Sequence, residues 1–225
     1  MNLCVIPARG GSKRIPKKNI KDFLGKPLIA YSIQTALSSK IFDEVIVSTD
    51  DKDIADVAIK FGAKVPFFRD EKLSDDYASS VDVVIDAIKK MDERYQNICC
   101  LYATAPLLKY QILMKAYDEF ISSNSNFLFS VCEFSYPIQR ALMLDENKSV
   151  SMFYPEYFNS RSQDLQKSYH DAGQFYFGKR EAWLDNKNIF KDNSKAFVLP
   201  YNLVCDIDTL QDFEFAQKLY QINAI

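Results

Sequence analysis

Ile6-Pro7-Ala8-Arg9-Gly10-Gly11-Ser12-Lys13-Arg14-Ile15-Pro16-Lys17-Lys18-Asn19 follows the apolar opening Asn2-Leu3-Cys4-Val5 and reads as a buried strand running into a basic, glycine-containing loop. Adjacent glycines let a backbone approach an anion closely. Ser12 adds a hydroxyl donor, and Arg9, Lys13, Arg14, Lys17 and Lys18 supply cations for phosphate oxygens. No Asp or Glu precedes Asp22, although the whole chain carries a formal net charge of −2. The positive charge is therefore local, which suits a small polyphosphate better than a nucleic-acid surface. The loop stands where ligands of open α/β sheets bind, outside the carboxyl end of a strand. It matches neither G-x-x-x-x-G-K-[ST] nor G-x-G-x-x-G, which excludes a P-loop ATPase and a dinucleotide-binding dehydrogenase. A solvated basic turn is the plainer alternative.

The remainder of the chain is consistent with an α/β domain around that loop. With 225 residues, 48% of them hydrophobic, one substantial core is expected, and the chain reads as a single domain over 1–225. No apolar run approaches the roughly 18 residues of a membrane span, and Arg9 and Lys13 interrupt the opening apolar stretch. A cytoplasmic protein without membrane or nucleic-acid partners is expected. Cys4, Cys99, Cys100, Cys132 and Cys205 are odd in number, lack C-x-x-C spacing and read as buried thiols.

Short runs rich in Val, Ile, Leu and Cys at Asn2–Pro7, Glu44–Ser48 and 97–103 predict strands buried on both faces of a mainly parallel sheet. Helical spacing links Ile29, Ile33, Ala36 and Leu37, then Ile54, Val57, Ala58 and Phe61, then Val81, Val84, Ile85 and Ile88, then Leu113, Ala116, Tyr117 and Phe120. A strand follows at about Phe127–Glu133. Later strands are expected at 174–178, 196–199 and 203–207, and a final helix carries Phe213, Ala216 and Tyr220. The βαβα alternation predicts right-handed crossovers in a three-layer Rossmann-like fold. From about 134 to 168 the pattern dissolves into aromatic and polar pieces such as Tyr136-Pro137, Phe153-Tyr154-Pro155 and Tyr157-Phe158. Clustered aromatics of this kind mark an appendage with a partner surface.

Four further segments bear on chemistry. In Val47-Ser48-Thr49-Asp50-Asp51 a carboxylate is expected to cap the following helix. In Arg69-Asp70-Glu71-Lys72-Leu73-Ser74-Asp75-Asp76-Tyr77-Ala78-Ser79-Ser80 the serines start another helix. Asp206 and Asp208 stand two apart in Cys205-Asp206-Ile207-Asp208-Thr209; on a strand they share a face and can hold a divalent cation, while Asp208 with Gln211 can equally cap a helix. His170, the only histidine, lies in a segment with Arg161, Gln163 and Asp171, and no zinc cluster can be built on a lone histidine. Arg161 offers a planar fork for a carboxylate.

The segment from Ile6 to Asn19 resembles the first motif of the CMP-sialic acid synthetase (acylneuraminate cytidylyltransferase) family, and Arg161-Ser162-Gln163-Asp164-Leu165-Gln166-Lys167-Ser168-Tyr169-His170-Asp171-Ala172-Gly173-Gln174-Phe175-Tyr176-Phe177 resembles its pseudaminic acid branch. Arg69 to Ser80 is similar to the family's R-P-x-x-L-x-x-D-x-x-x-S, with Asp70 in place of proline, and Leu101-Tyr102-Ala103-Thr104-Ala105-Pro106-Leu107 to its L-Q-P-T-S-P-L, with Tyr102 in place of glutamine. The resemblance implies a nucleotide-diphospho-sugar transferase fold and a homodimer gripped through the insertion at about 134–168. It implies CTP and an acidic nine-carbon sugar as substrates and Mg2+ as cofactor. On this resemblance Ala8, Arg9, Gly11, Ser12, Lys13, Lys18, Asn19, Arg69 and Ser80 bind the nucleotide, and Asp206 and Asp208 hold the metal. Arg9, Lys18, Asp206 and Asp208 serve catalysis, while Tyr102, Arg161, Gln163, His170 and Asp171 face the sugar. Both departures, Tyr102 and the segment from Tyr169 to Gln174, lie on the sugar side and point to pseudaminic acid. The alternatives are a sialic acid or other nonulosonate synthetase and a CTP-binding sensor without turnover.

Overall fold

The computed structural model describes residues 1–75, 78–186 and 188–223; Asp76 and Tyr77 of the Arg69–Ser80 motif lie outside them. Its centre is a six-stranded sheet of β1 (Asn2–Pro7), β2 (Glu44–Ser48), β3 (Asn97–Leu101), β4 (Phe127–Glu133), β5 (Tyr169–Lys179) and β6 (Ser194–Leu199), in the order β6-β4-β5-β3-β1-β2. β1 runs parallel to β2 and β3, and β6 parallel to β4. Only β5 is antiparallel, inserted between β3 and β4 with a register irregularity between Phe129 and Val131.

The alternation of side chains along β1 explains why its apolar run is unbroken. Cys4 and Ile6 face one layer, with Ile29, Ile33 and Ala36 of α1 (Leu28–Ser39), Ile54 and Ala58 of α2 (Lys52–Lys60), and Leu113 and Phe120 of α4 (Tyr110–Ser123). Leu3 and Val5 face the other, with Val84 and Ile88 of α3 (Ser80–Lys90) and Trp183 of the short helix α5 (Arg180–Leu184). A strand covered on both faces needs apolar residues at every position, not at alternate ones. A third cluster joins Phe213 and Ala216 of α6 (Leu210–Asn223) to Ile15, Phe23, Leu28, Tyr31 and Ile207. It anchors the acidic segment 205–209 beside the basic loop.

Helix starts obey local capping. Asp51 accepts from the Ile54 N–H at the start of α2, and Ser79 forms a reciprocal capping box with Asp82 at the start of α3. At α6 the same device uses Thr209, whose Oγ1 accepts from the Asp212 N–H at 3.3 Å while Asp212 Oδ2 accepts from the Thr209 N–H at 2.7 Å. The expected pairing of Asp208 with Gln211 is thereby corrected. Thr209 and Asp212 complete the box one residue further on, which leaves the Asp208 side chain for other work.

Two other expectations change. Residues 203–207 form no strand: a 3-10 turn at Tyr201–Leu203 leads into irregular chain, because Leu203 and Ile207 are anchored by burial without a neighbouring strand to pair with. α5 was not expected, since five residues give no helical period to read. Between β4 and β5 the chain makes a small antiparallel hairpin, Leu142–Leu144 with Val150–Met152, and short 3-10 turns at Ile138–Arg140, Pro155–Tyr157 and Ser162–Asp164. Tyr136, Leu144, Val150, Phe153 and Phe158 are all exposed there.

Candidate active site

A cavity of about 310 Å3 opens beyond the carboxyl ends of β1 and β3, lined among others by Arg9, Ser12, Lys13, Arg14, Lys18, Asn19, Arg69, Ser80, Tyr102, Asp206 and Asp208. Segments separated by nearly the whole chain thus converge on one space. Gly10 makes the loop possible: its N–H donates to Asp50 Oδ1 at 2.9 Å, and a β-carbon there would stand 2.8 Å from the Asp51 Cβ. Gly11 faces open space. Ala8 is buried, and its N–H donates to the Ser48 carbonyl at 2.9 Å. Neither Ala8 nor Gly11 lines the cavity.

The cations divide by partner. Arg9 donates to the Asp75 carbonyl at 2.7 Å. Lys18 donates to the Ile207 carbonyl at 2.7 Å and stands 3.5 Å from Asp208 Oδ1, with only 20% of its side chain exposed. Arg14 reaches the same oxygen at 2.8 Å. Lys17, read with the phosphate cations, is turned away: its backbone is left-handed, with φ 52°, and its Nζ pairs with Asp53 of α2 at 2.7 Å. One residue's change of direction in a turn separates it from Lys18.

Arg69 is buried behind the floor, where Nε donates to Ser48 Oγ at 3.2 Å and Nη2 to the Ser48 carbonyl. Burial lowers its pKa from the usual arginine range. Asn19 is also buried, and its Nδ2 donates to the Arg9 carbonyl at 3.0 Å, so the amide N–H groups are partly committed and Oδ1 is the end left to read a ligand donor. Ser80 is not spent on capping, because Ser79 does that; its Oγ lies 3.0 Å from the Tyr102 hydroxyl.

Asp206 and Asp208 both line the cavity although no strand carries them, because Ile207 between them is fully buried and turns the flanking carboxylates outward. Burial, with the Asp208 charge next, raises the Asp206 pKa above the ordinary carboxylate value, against the opposing pull of Lys18 and Arg14. Two carboxylates crowded beside a polyphosphate-sized space are a donor set for a hard divalent cation, so the residues present fit Mg2+.

Ser80 and Tyr102 also line a second cavity of about 210 Å3, walled by Cys100, Asp171, Tyr176, Trp183, Ile189 and Phe190. Tyr176 donates to Asp171 Oδ2, and Asp171 Oδ1 accepts from the Gly173 N–H at 3.0 Å, where Gly173 takes φ 58°. Burial raises the pKa of both Tyr102 and Tyr176, so both hydroxyls keep their protons at neutral pH. His170, the neighbour of Asp171 on β5, faces the other way: its ring meets Phe134 edge-on at 5.0 Å and does not line either cavity. Arg161 and Gln163 lie in the exposed insertion, where Arg161 pairs with Asp164 at 2.7 Å, and they too line neither cavity. Sequence reading did not single out Tyr176, Trp183, Ile189 or Phe190. The available signal was a tyrosine in the apolar, buried second half of β5, five residues from an aspartate that can take its hydroxyl.

A loop of phosphate-binding character after β1 and paired aspartates before α6 now share one cavity with a buried arginine and asparagine. The sequence profile of the cytidylyltransferase family matches residues 3–225. The chain belongs to the cytidylyltransferase family. It is 62% identical to a pseudaminic acid cytidylyltransferase of Campylobacter jejuni subsp. jejuni serotype O:2, over 99% of this chain and 97% of that one. It is 34% identical to a CMP-N,N'-diacetyllegionaminic acid synthase of Legionella pneumophila, over 98% and 97% of the two chains. This cytidylyltransferase also shares its fold with a solved structure of CMP:2-keto-3-deoxy-manno-octonic acid synthetase complexed with CTP, at a TM-score of 0.74 and 18% identity, covering 99% of each chain.

Proposed function

We propose that this cytidylyltransferase activates pseudaminic acid with CTP, forming CMP-pseudaminic acid and releasing pyrophosphate. The observation that carries the reading is the junction at Ser80 and Tyr102, where a cation-lined cavity meets a largely aromatic one. CTP occupies the first and the sugar the second, which brings the sugar's anomeric hydroxyl to the α-phosphorus. The hydroxyl oxygen bonds to that phosphorus, the bond to the β-phosphate oxygen breaks, and the hydroxyl proton passes to solvent. Such a transfer depends on positioning and charge neutralisation. Arg9, Lys13 and Lys18 bind the triphosphate, and Asn19, Arg69 and Ser80 orient the nucleoside. Asp206 and Asp208 hold Mg2+, which when bound supplies charge stabilisation at the transferring phosphoryl group.

Identity of 62% to a pseudaminic acid enzyme, against 34% to a legionaminic acid enzyme of equal coverage, supports the choice of sugar. So does the second cavity: Tyr102, Tyr176 and Trp183 suit a deoxy, acylamino sugar with fewer hydroxyls to satisfy. Arg161 and Gln163 reach a sugar only if the insertion moves or docks against a second copy, and the exposed apolar side chains of 134–168 suit such a homodimer. No helix among the described residues is long and apolar enough to cross a membrane, and the five free cysteines fit a reducing cytoplasm. The deciding experiment measures pyrophosphate release with CTP or UTP and with pseudaminic or N-acetylneuraminic acid. Expected is turnover confined to CTP and a kcat/KM at least tenfold higher for pseudaminic acid. A preference for N-acetylneuraminic acid overturns the sugar assignment, and equal use of UTP overturns the pyrimidine assignment of Asn19 and Arg69.

A further inference from the structure

Arg14 lines the cavity and its guanidinium pairs with Asp208, whereas Lys17 is turned to α2 and Lys18 is tied to a backbone carbonyl. Lys18 is only 20% exposed and is tied to the Ile207 carbonyl. Lys17 is committed to Asp53. Arg14 is 66% exposed, lines the cavity and closes on Asp208 Oδ1 at 2.8 Å, the oxygen that Lys18 also approaches. Two cations therefore stand at one carboxylate oxygen of the aspartate pair read as the metal site. An exposed ion pair of this kind is weak. A triphosphate offers a guanidinium several anionic oxygens and two-point geometry, so it competes well for the same side chain.

We propose that Arg14 is a counter-ion gate: it neutralises Asp208 while the site is empty and transfers to the triphosphate when CTP enters, releasing Asp208 to the divalent cation. The proposal rests on the Mg2+–CTP reading of this cavity. Its consequence is coupling, because nucleotide raises the affinity for metal and metal raises the affinity for nucleotide by the same factor. A divalent cation entering alone then binds a few-fold more weakly than one entering with nucleotide, and Arg14 acts as a positioning residue.

The test titrates Mn2+ into nucleotide-free protein, following unbound Mn2+ by electron paramagnetic resonance, for wild type, Arg14→Gln, Arg14→Lys and the double variant Arg14→Gln/Asp208→Asn. Arg14→Gln is expected to bind Mn2+ about threefold to fivefold more tightly than wild type, the range of an exposed ion pair. Arg14→Lys keeps the charge and should stay near wild type, and the double variant should lose the gain. With a chelator present, Arg14→Gln should bind CTP several-fold more weakly. Equal Mn2+ affinity in Arg14→Gln and wild type overturns the proposal, as does a gain that persists without Asp208. Wild-type turnover that survives chelation instead overturns the metal reading on which the gate depends.

Discussion

The two cavities share Ser80 and Tyr102 and differ in almost everything else. The first is walled by arginines, lysines and aspartates: Arg9 and Lys18 donate to backbone carbonyls, and Arg14 and Lys18 close on Asp208. The second is walled by rings, a thiol and one aspartate already held by a tyrosine hydroxyl. Charged groups at a half-open site are strong where a polyanion displaces water and weak otherwise, whereas a ring-lined wall selects by shape and by the few hydroxyls it can satisfy. Phosphoryl chemistry is therefore expected to fail when the first cavity is altered, for any sugar, and sugar choice to fail when the second is altered, for an unchanged nucleotide.

The sharpest way to break that division is Asp206→Asn or Asp208→Asn. Each keeps side-chain shape, and α6 keeps its Thr209–Asp212 cap, so the fold should survive while kcat falls by about a thousandfold, the scale of a lost metal contribution. Near-normal turnover with an unchanged response to Mg2+ would sink the assignment of these carboxylates. Next in size are Arg9→Ala and Lys18→Ala, each removing one charge-assisted contact worth about 1.5–3 kcal/mol, or roughly tenfold to a hundredfold in kcat/KM. The loss should be equal for every sugar tested; a sugar-dependent loss would mean that the loop serves both cavities.

Across the junction, Tyr176→Phe removes the hydroxyl that holds Asp171. The KM for the sugar should rise about tenfold, from the loss of one hydrogen bond to a charged group, while the KM for CTP stays within about twofold. Initial-rate kinetics with each substrate varied in turn decides it, and a parallel rise in both KM values would merge the two sites into one. The smallest effect is expected at Phe190, which is 65% exposed and meets Phe129 edge-on at 5.2 Å. Phe190→Ala should change the sugar KM by only about twofold to fivefold and stability by less than about 1.5 kcal/mol, read as a small shift in Tm.

The first cavity was largely legible because the loop after β1 brings many of its charges within one contiguous stretch. Arg9, Ser12, Lys13, Lys18 and Asn19 all line the space, and only the φ of 52° at Lys17 sent one cation elsewhere. The aspartate pair was legible as a pair but not in its geometry. Its shared orientation comes from the burial of Ile207 against α1 and α6, a tertiary contact, and not from strand alternation. The second cavity was mostly hidden. Its wall draws on α3, β3, β5, α5 and the chain after α5, and Tyr176, Trp183 and Ile189 are buried side chains that no spacing in the sequence assigns to a cavity. His170 and Asp171 were read together, yet successive strand positions face opposite sides, so only Asp171 joins the cavity.

By itself, the sequence determined the parallel heart of the sheet, most of the helices that cover it and the place of the basic loop. Those features depend on local periodicity and on residues adjacent along the chain, where steric and electrostatic rules act at short range. Only the tertiary structure decided that β5 enters the sheet antiparallel between β3 and β4, that Arg14 and Lys18 meet at Asp208, and that Ser80 and Tyr102 join two cavities of opposite character. The physical reason is that these arrangements depend on which buried surfaces find one another across the fold, and hydrophobic burial is non-directional: it rewards contact without recording in the sequence which contact will form.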